Sequence, residues 1–278
     1  MYEPQIAFIE TEKGVIQIEI PDENDEVLPN TKWGNVAGFP TVAYWLYRVL
    51  ERRLKQTEVA YKLGDTLLEE VGACLLGGHG IPAENGLAAY HHMKSKGAFT
   101  GKVHNFQTLH SWLSEPIHLN DKTFKYRFAK QKASYIQSAL IQLSEKEAPS
   151  CSGLALRNWL IDIKGVGLKT ASWIARNWLN ADDVAILDIH IYRAGILGGF
   201  FDEKHSVERH YLELEKQFIQ LSKSMNVRPS ELDALMWFEM QQTPTVLKQL
   251  EAKLHRSSTI IKRRTKKSHS NTKQMALI

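Results

Sequence analysis

The stretch IKGVGLKTASWIARNW, residues 163–178, places two glycines around a valine directly before an apolar helical repeat. The segment before it, LALRNWLIDI, also has a helical pattern, so only residues 164–167 remain to join the two helices. The sequence therefore predicts a helix–hairpin–helix at about residues 153–179.

The turn of this hairpin consists of Gly165, Val166 and Gly167. Glycine permits positive φ and, because it lacks Cβ, lets a flat polyanionic backbone come close. We expect the amides of the turn and of the following helix to point outward, where the helix dipole favours a phosphate. The turn is thus a candidate clamp for DNA backbone that reads no base sequence. Glycine used only for steric reasons is the alternative.

Lys169 lies in the first turn of the second helix, beside Leu168 and near Trp173. The helix dipole disfavours a cation there, and an apolar setting favours the uncharged amine. An uncharged amine is what a nucleophilic lysine requires. The alternative is a lysine whose stem covers apolar surface while its ammonium group reaches water.

A second candidate, Asp188, stands in VAILDIHIYRAG, residues 184–195, nineteen positions after the lysine. It precedes a predicted helix that contains His190, so it can be a simple N-cap. A carboxylate that backbone amides hold in place can also stabilise developing positive charge or accept a proton. The residues alone leave both interpretations open.

The remainder of the chain is predicted to be mainly α-helical. Its 278 residues with 43% apolar composition suffice for a full core. Two β-rich runs around Lys13 and Gly14 predict a small hairpin within an N-terminal β element, residues 1–36. Helical periodicity continues through residues 37–255, where Asp65 is a candidate cap for the second helix.

Residues 256–278 form a basic tail that carries +7 and no acidic residue, which leaves −3 for the rest of the chain. Polar residues separate the charges and no apolar period is present, so we expect disorder. Such a tail can lie along a polyanion with an affinity that falls with salt, or it can serve solubility alone.

Several classes of protein are disfavoured by the composition. No run approaches the roughly 20 apolar residues of a membrane span, and the first residues lack a secretory signal, so we expect a cytoplasmic protein. Cys74 and Cys151 are too few for an iron–sulfur cluster or a disulfide framework. His205 and His210 lack the spacing of a helical zinc pair. We therefore predict neither a metal site nor a cofactor.

Together, the hairpin motif and AILDIHIYR resemble the signature of the helix–hairpin–helix DNA glycosylases, in particular the 8-oxoguanine DNA glycosylases. Residues 67–99, 130–140 and 233–241 resemble the family's segments more weakly. The resemblance implies a two-lobed helical fold and a monomeric, nucleoid-associated enzyme. It also implies a bifunctional glycosylase and abasic-site lyase that flips a damaged base, foremost 8-oxoguanine, out of double-stranded DNA.

The resemblance also implies roles for individual residues. Lys169 would attack C1′ of the deoxyribose and form a Schiff base, and Asp188 would support the positive charge at the sugar. Gly165, Val166 and Gly167 would hold phosphates through backbone amides, and His190 would contact a phosphate. Trp173, Trp237 and Phe238 are candidates for the base pocket, although aromatic residues on helices commonly pack into the core.

This sequence departs from the family pattern at several positions. His79 stands in a wedge loop without the asparagines of members that read an opposing cytosine, and Lys132 stands where an arginine is expected. Trp173 replaces a small residue four positions after the lysine. Excision of another modified base and a non-catalytic DNA-binding role are therefore the alternatives, although backbone binding alone requires neither Lys169 nor Asp188.

Overall fold

The protein is described by a computed structural model that covers residues 3–55, 62–78 and 80–243. Three antiparallel hairpins account for its strands. They are β1 (Gln5–Thr11) with β2 (Gly14–Ile20), β3 (Glu26–Leu28) with β4 (Thr31–Lys32), and β5 (Pro116–Leu119) with β6 (Lys122–Lys125). The first confirms the predicted N-terminal hairpin, and the other two were not predicted.

Ten helices make up most of the described chain. They are α1 (Val42–Leu54), α2 (Leu67–Leu76), α3 (Ala83–Ser95), α4 (Phe106–Ser114), α5 (Ala129–Glu145), α6 (Gly153–Leu160), α7 (Leu168–Leu179), α8 (Ile189–Gly198), α9 (Tyr211–Ser224) and α10 (Pro229–Gln242). The mainly α fold class is thereby confirmed. The basic tail lies outside the described residues.

The α2 N-terminus differs from the prediction by one residue. Thr66 is the N-cap, since its hydroxyl accepts a hydrogen bond from the Glu69 amide at 3.2 Å. Asp65 instead accepts a hydrogen bond from Lys94 Nζ at 2.8 Å. Both residue types are good N-caps, so sequence alone did not distinguish them.

Two separate hydrophobic clusters divide the described chain into two lobes. The first cluster draws on α2 to α7 and includes Leu75, Ile136 and Ile174. The second joins the N-terminal segment and α1 to α8, α9 and α10, and it includes the fully buried Trp45 and Phe218. This confirms the two-lobed expectation. The helix–hairpin–helix, α6 and α7, belongs to the first lobe. The chain then crosses to the second lobe, where α8 packs.

Among the described residues, no helix is both long enough and apolar enough to span a bilayer.

Candidate active site

The hairpin between α6 and α7 uses its two glycines differently. Gly165 has φ +88°, and a Cβ atom there would overlap the Tyr135 ring. At Gly167, by contrast, an added Cβ would meet no atom within 4 Å. Gly165 is therefore required by the packing of the protein itself. Gly167 leaves an open surface directly before α7.

The central residue of the turn corrects part of the prediction. Val166 is buried, and its amide donates to the Ile163 carbonyl at 3.0 Å. The expectation that all three amides are unpaired is therefore wrong for Val166. Gly165 and Gly167 are both exposed, so the turn still presents its glycines to solvent.

Lys169 stands in the first turn of α7, with Gly167 as the N-cap. Trp173 and Arg176 follow at four and seven positions, so the three side chains share one face of the helix. This face lines a cavity of about 400 Å³. The exposed Lys169 side chain therefore has an apolar and aromatic neighbourhood as well as access to solvent.

Asp188 lines the same cavity from the start of α8. Its Oδ1 accepts hydrogen bonds from the amides of His190 at 2.8 Å and Ile191 at 3.1 Å, so it is the N-cap. The carboxylate is 6% exposed. The cap interpretation and the fixed-carboxylate interpretation are thus compatible, because one set of bonds provides both.

The segment that leads to Asp188 belongs to no helix or strand, and buried side chains hold its amides. Ala185 donates to Glu215 at 3.0 Å, and Ile186 donates to Asp233 at 3.1 Å. The Leu187 amide donates to the Tyr211 hydroxyl at 3.3 Å. Three consecutive amides therefore bond to side chains of α9 and α10, which fixes the approach to the α8 cap.

Three aromatic residues form the walls of the cavity. Trp173 comes from α7, and Trp237 and Phe238 come from α10. Their exposed fractions are 36%, 44% and 44%, so the alternative that they are core residues is wrong. Arg52 also lines the cavity, with its guanidinium carbon 5.7 Å from the centre of the Phe238 ring. Flat aromatic walls suit the faces of a planar ring.

An ion pair forms the buried part of the lining. Arg176 Nη2 lies 3.1 Å from Asp233 Oδ1, and both side chains are almost inaccessible to solvent. Burial raises the pKa of the Asp233 carboxyl to about 7, and Arg176 opposes that rise. Asp188 and Asp182 act in the same direction as burial. The cavity therefore contains two carboxyl groups in different environments.

His190 is half-buried in the first turn of α8, two residues after the N-cap Asp188. Burial lowers its pKa, the charge of Asp188 opposes this effect, and Arg193 and Lys169 reinforce it. The imidazole is therefore mainly neutral at pH 7 and could donate one ring N–H to a phosphate. The phosphate contact itself stays a prediction.

The two wedge candidates have different outcomes. Lys132 does not line the cavity: its Nζ donates to the Gly77 carbonyl at 2.9 Å, and burial lowers its pKa. It thus supports the start of the predicted wedge loop. His79 lies outside the described residues.

Sequence reasoning missed several residues of the cavity. Arg176 could have been found, since it follows Lys169 by seven positions on the same helix face. Asp233 similarly precedes Trp237 by one helical turn. Arg52 could not have been predicted as a cavity residue, because nothing in the sequence indicates that α1 packs against α10. The remaining lining residues are Leu63, Ile186, Ile191 and Ala234. Within the described chain, no cluster of three metal-binding side chains is present.

Comparison with known proteins assigns the chain to a family. The sequence model of the 8-oxoguanine DNA glycosylases with a helix–hairpin–helix matches residues 50–227. The chain belongs to this family. The match includes Lys169 and Asp188, whereas α10 follows it. Two residues of the aromatic walls, as well as Asp233, therefore lie beyond the matched segment.

Curated relatives carry the name 8-oxoguanine DNA glycosylase/AP lyase. The relative from Methanocaldococcus jannaschii is 34% identical over 128 residues, which are 42% of this chain and 58% of the relative. The relative from Saccharolobus islandicus is 32% identical over 137 residues, 46% of this chain and 64% of its own length. The chain thus matches somewhat less than two thirds of these relatives.

Solved structures support the fold of this family member. The M. jannaschii 8-oxoguanine DNA glycosylase gives a TM-score of 0.50 at 25% identity, covering 72% of this chain and 95% of that one. The Thermotoga maritima 8-oxoguanine DNA glycosylase gives a TM-score of 0.51 at 24% identity, covering 70% and 95%.

Proposed function

We propose that this protein is a bifunctional DNA glycosylase and abasic-site lyase that removes 8-oxoguanine from double-stranded DNA. One observation carries the proposal: Lys169 and Asp188 line a single cavity with three aromatic walls, next to an exposed glycine turn. The names of the curated relatives support the same activity. No base is reachable inside the duplex, so the target nucleotide must be flipped into this cavity.

In the proposed reaction, Lys169 Nζ bonds to C1′ of the deoxyribose while the bond from C1′ to the base breaks. The base leaves with the electron pair of that bond, and a proton from the attacking amine balances its charge. Asp188 stabilises the positive charge that develops at the sugar. The C1′–O4′ bond of this adduct then breaks, with its electron pair and a proton going to O4′, and the Schiff base forms between C1′ and Lys169 Nζ. The Schiff base permits loss of a C2′ proton and β-elimination of the 3′ phosphate.

The remaining predicted residues have supporting roles in this proposal. A phosphate would come closest to the protein at Gly167, which has no side chain, and the positive end of the α7 dipole would stabilise its charge. Trp173, Trp237 and Phe238 would stack on the extruded base. His190 would contact a phosphate, and His79 and Lys132 would act at the wedge. We further propose that the protein acts as a monomer without an iron–sulfur cluster.

A second candidate function is excision of a different modified base. The observation that favours it is the position of α10, which contributes Asp233, Ala234, Trp237 and Phe238 to the cavity although it lies beyond the family match. A panel of duplexes with different lesions and opposing bases distinguishes the two. A non-catalytic DNA-binding role is less well supported, because it explains neither Lys169 nor Asp188.

Borohydride trapping tests the proposed nucleophile. With 8-oxoguanine duplex, the wild-type protein should form a covalent adduct, and Lys169→Gln should form none while its duplex affinity stays within about threefold, since the proposed phosphate contacts of the hairpin come from backbone amides and not from Lys169. Lys164→Gln is the matched control: this exposed hairpin lysine donates to Ser134 at 2.9 Å and does not line the cavity. Equal trapping by Lys169→Gln would refute the assignment.

A further inference from the structure

Asp233 is a buried carboxyl group that the proposed reaction does not use. It lies on α10, is 1% exposed, and lines the cavity together with Lys169 and Asp188. A buried carboxylate is costly unless it is paired and hydrogen-bonded. A buried carboxyl group at this position therefore indicates a specific role for Asp233.

The contacts of Asp233 connect it to two parts of the site. Its Oδ2 accepts the amide of Ile186 at 3.1 Å, two residues before Asp188. Its Oδ1 lies 3.1 Å from Nη2 of Arg176, which stands on the lysine-bearing face of α7. One carboxyl group thus joins the segment before the catalytic aspartate to the helix of the catalytic lysine.

The segment before Asp188 depends on such side chains. Ala185 and Leu187 bond to Glu215 and Tyr211 of α9, so Ile186 is the one position of these three that α10 holds. Small displacements of catalytic groups have large effects on rate, on the order of 100-fold for 1 Å. If the Ile186 amide loses its hydrogen bond, the backbone is expected to shift there, and Asp188, only two residues later, should shift with it.

We propose that Asp233 is a positioning residue that holds Asp188 against Lys169, and that its ionised form does this best. The inference rests on the proposed glycosylase function. Ionised Asp233 pairs with Arg176 and is the stronger acceptor for the Ile186 amide. The neutral acid keeps only the weaker bond, and it also removes a negative charge from beside the developing positive charge at the sugar.

The charged groups around Asp233 come from several elements of the fold. Arg176 on α7 favours its ionised form, whereas Asp188 at the start of α8 and Asp182 in the preceding loop disfavour it. Lys169 and Arg52 line the same cavity. Because burial places the pKa of Asp233 at about 7, its ionisation falls near neutral pH. Excision should therefore become faster between about pH 6 and pH 8.

The test compares base excision with strand cleavage at a preformed abasic site, each in single-turnover assays from pH 5.5 to 8.5. Asp233→Asn keeps an acceptor for Ile186 but cannot ionise. We expect it to lose the rise in excision near pH 7 and to bind duplex with unchanged affinity. Asp233→Leu removes the acceptor, and its excision should fall at least tenfold at every pH.

Leu109→Ala is the control for lost stability, since this buried residue lies on α4 in the other lobe. If Leu109→Ala slows excision as much as Asp233→Leu, or if Asp233→Asn retains the wild-type pH profile, the proposal is overturned. Cleavage of abasic sites by the wild type reports the proposed function separately. Its absence would refute the proposed lyase activity, and absence of base excision by the wild type would refute the proposed glycosylase activity. Both activities in the wild type, together with Asp233 variants that behave like it, would refute only the positioning role.

Discussion

Gly165 and Gly167 flank a single valine, yet substitutions at the two positions should have opposite consequences. Gly165→Ala places a Cβ atom into Tyr135 at positive φ and should destabilise the fold by about 1–3 kcal/mol. Gly167 has φ −95°, which alanine adopts, so Gly167→Ala should cost less than about 1 kcal/mol. It should nevertheless weaken duplex binding roughly tenfold, because the methyl group holds a phosphate away from the α7 amides.

Urea unfolding and fluorescence anisotropy with labelled duplex measure the two quantities. Each glycine variant serves as the control for the other. A Gly167→Ala protein with wild-type affinity would show that no phosphate approaches this residue.

At the same scale, the family resemblance implied that Lys169 and Asp188 serve one site, and both line the same cavity. Helix geometry added Trp173, one turn after the lysine, and N-cap preference identified Asp188 as a cap. Asp233 and Arg52 were not found, since their roles arise from the packing of helices that are distant in sequence. The use of the Val166 amide within the turn likewise depends on turn geometry that the residue types did not specify.

Helices α1 and α10 share a polar contact that supports the aromatic wall of the cavity. Glu239 accepts hydrogen bonds from the Tyr44 hydroxyl at 2.6 Å and from Arg48 Nε at 2.7 Å, with its side chain 11% exposed. Burial, together with the bond to Glu239, raises the pKa of the Tyr44 hydroxyl well above its ordinary value, so Tyr44 stays a donor.

Replacement of Glu239 should therefore affect both stability and excision. We expect Glu239→Leu to destabilise the fold by about 1–3 kcal/mol, since two half-buried donors lose their acceptor. Excision should slow more than abasic-site cleavage, because Glu239 directly follows Trp237 and Phe238, the residues proposed to stack on the base, and an abasic site has no base to stack. Arg53→Gln is the control: its pair with Glu231 joins the same two helices, but it is exposed and should contribute below about 1 kcal/mol. Urea unfolding compares the variants, and equal losses would contradict the argument.

At the scale of helices, the helical periodicity of residues 37–255 predicted a mainly α-helical chain, and ten helices are present in the described region. The α2 boundary was wrong by one residue because Asp65 and Thr66 are both suitable caps. Hairpins β3–β4 and β5–β6 were missed, since their strands have two to four residues and are too short to show a period.

For the whole molecule, the distribution of charge predicts how DNA binding depends on salt. Changing the seven basic residues of 256–278 to glutamine should weaken binding mainly at low salt and flatten the slope of log K against log salt by about 0.9 per lost contact. The measurement is anisotropy between about 50 and 200 mM salt. Lys122→Gln with Lys125→Gln, both exposed on β6, shows how much the loss of each positive charge outside the tail changes the slope. An unchanged slope would exclude phosphate contacts by the tail.

The two-lobed arrangement has a consequence for the order in which the protein can be assembled during translation. The lobe of α2 to α7 is built from one continuous stretch, so it can form while synthesis continues. Helix α1 emerges first from the ribosome, but its apolar stripe packs on helices that end near residue 242. At ordinary synthesis rates that wait is on the order of ten seconds. During it the apolar stripe of α1 lacks the helices that bury it, and a chain that stops before α10 lacks two of the three aromatic residues of the cavity.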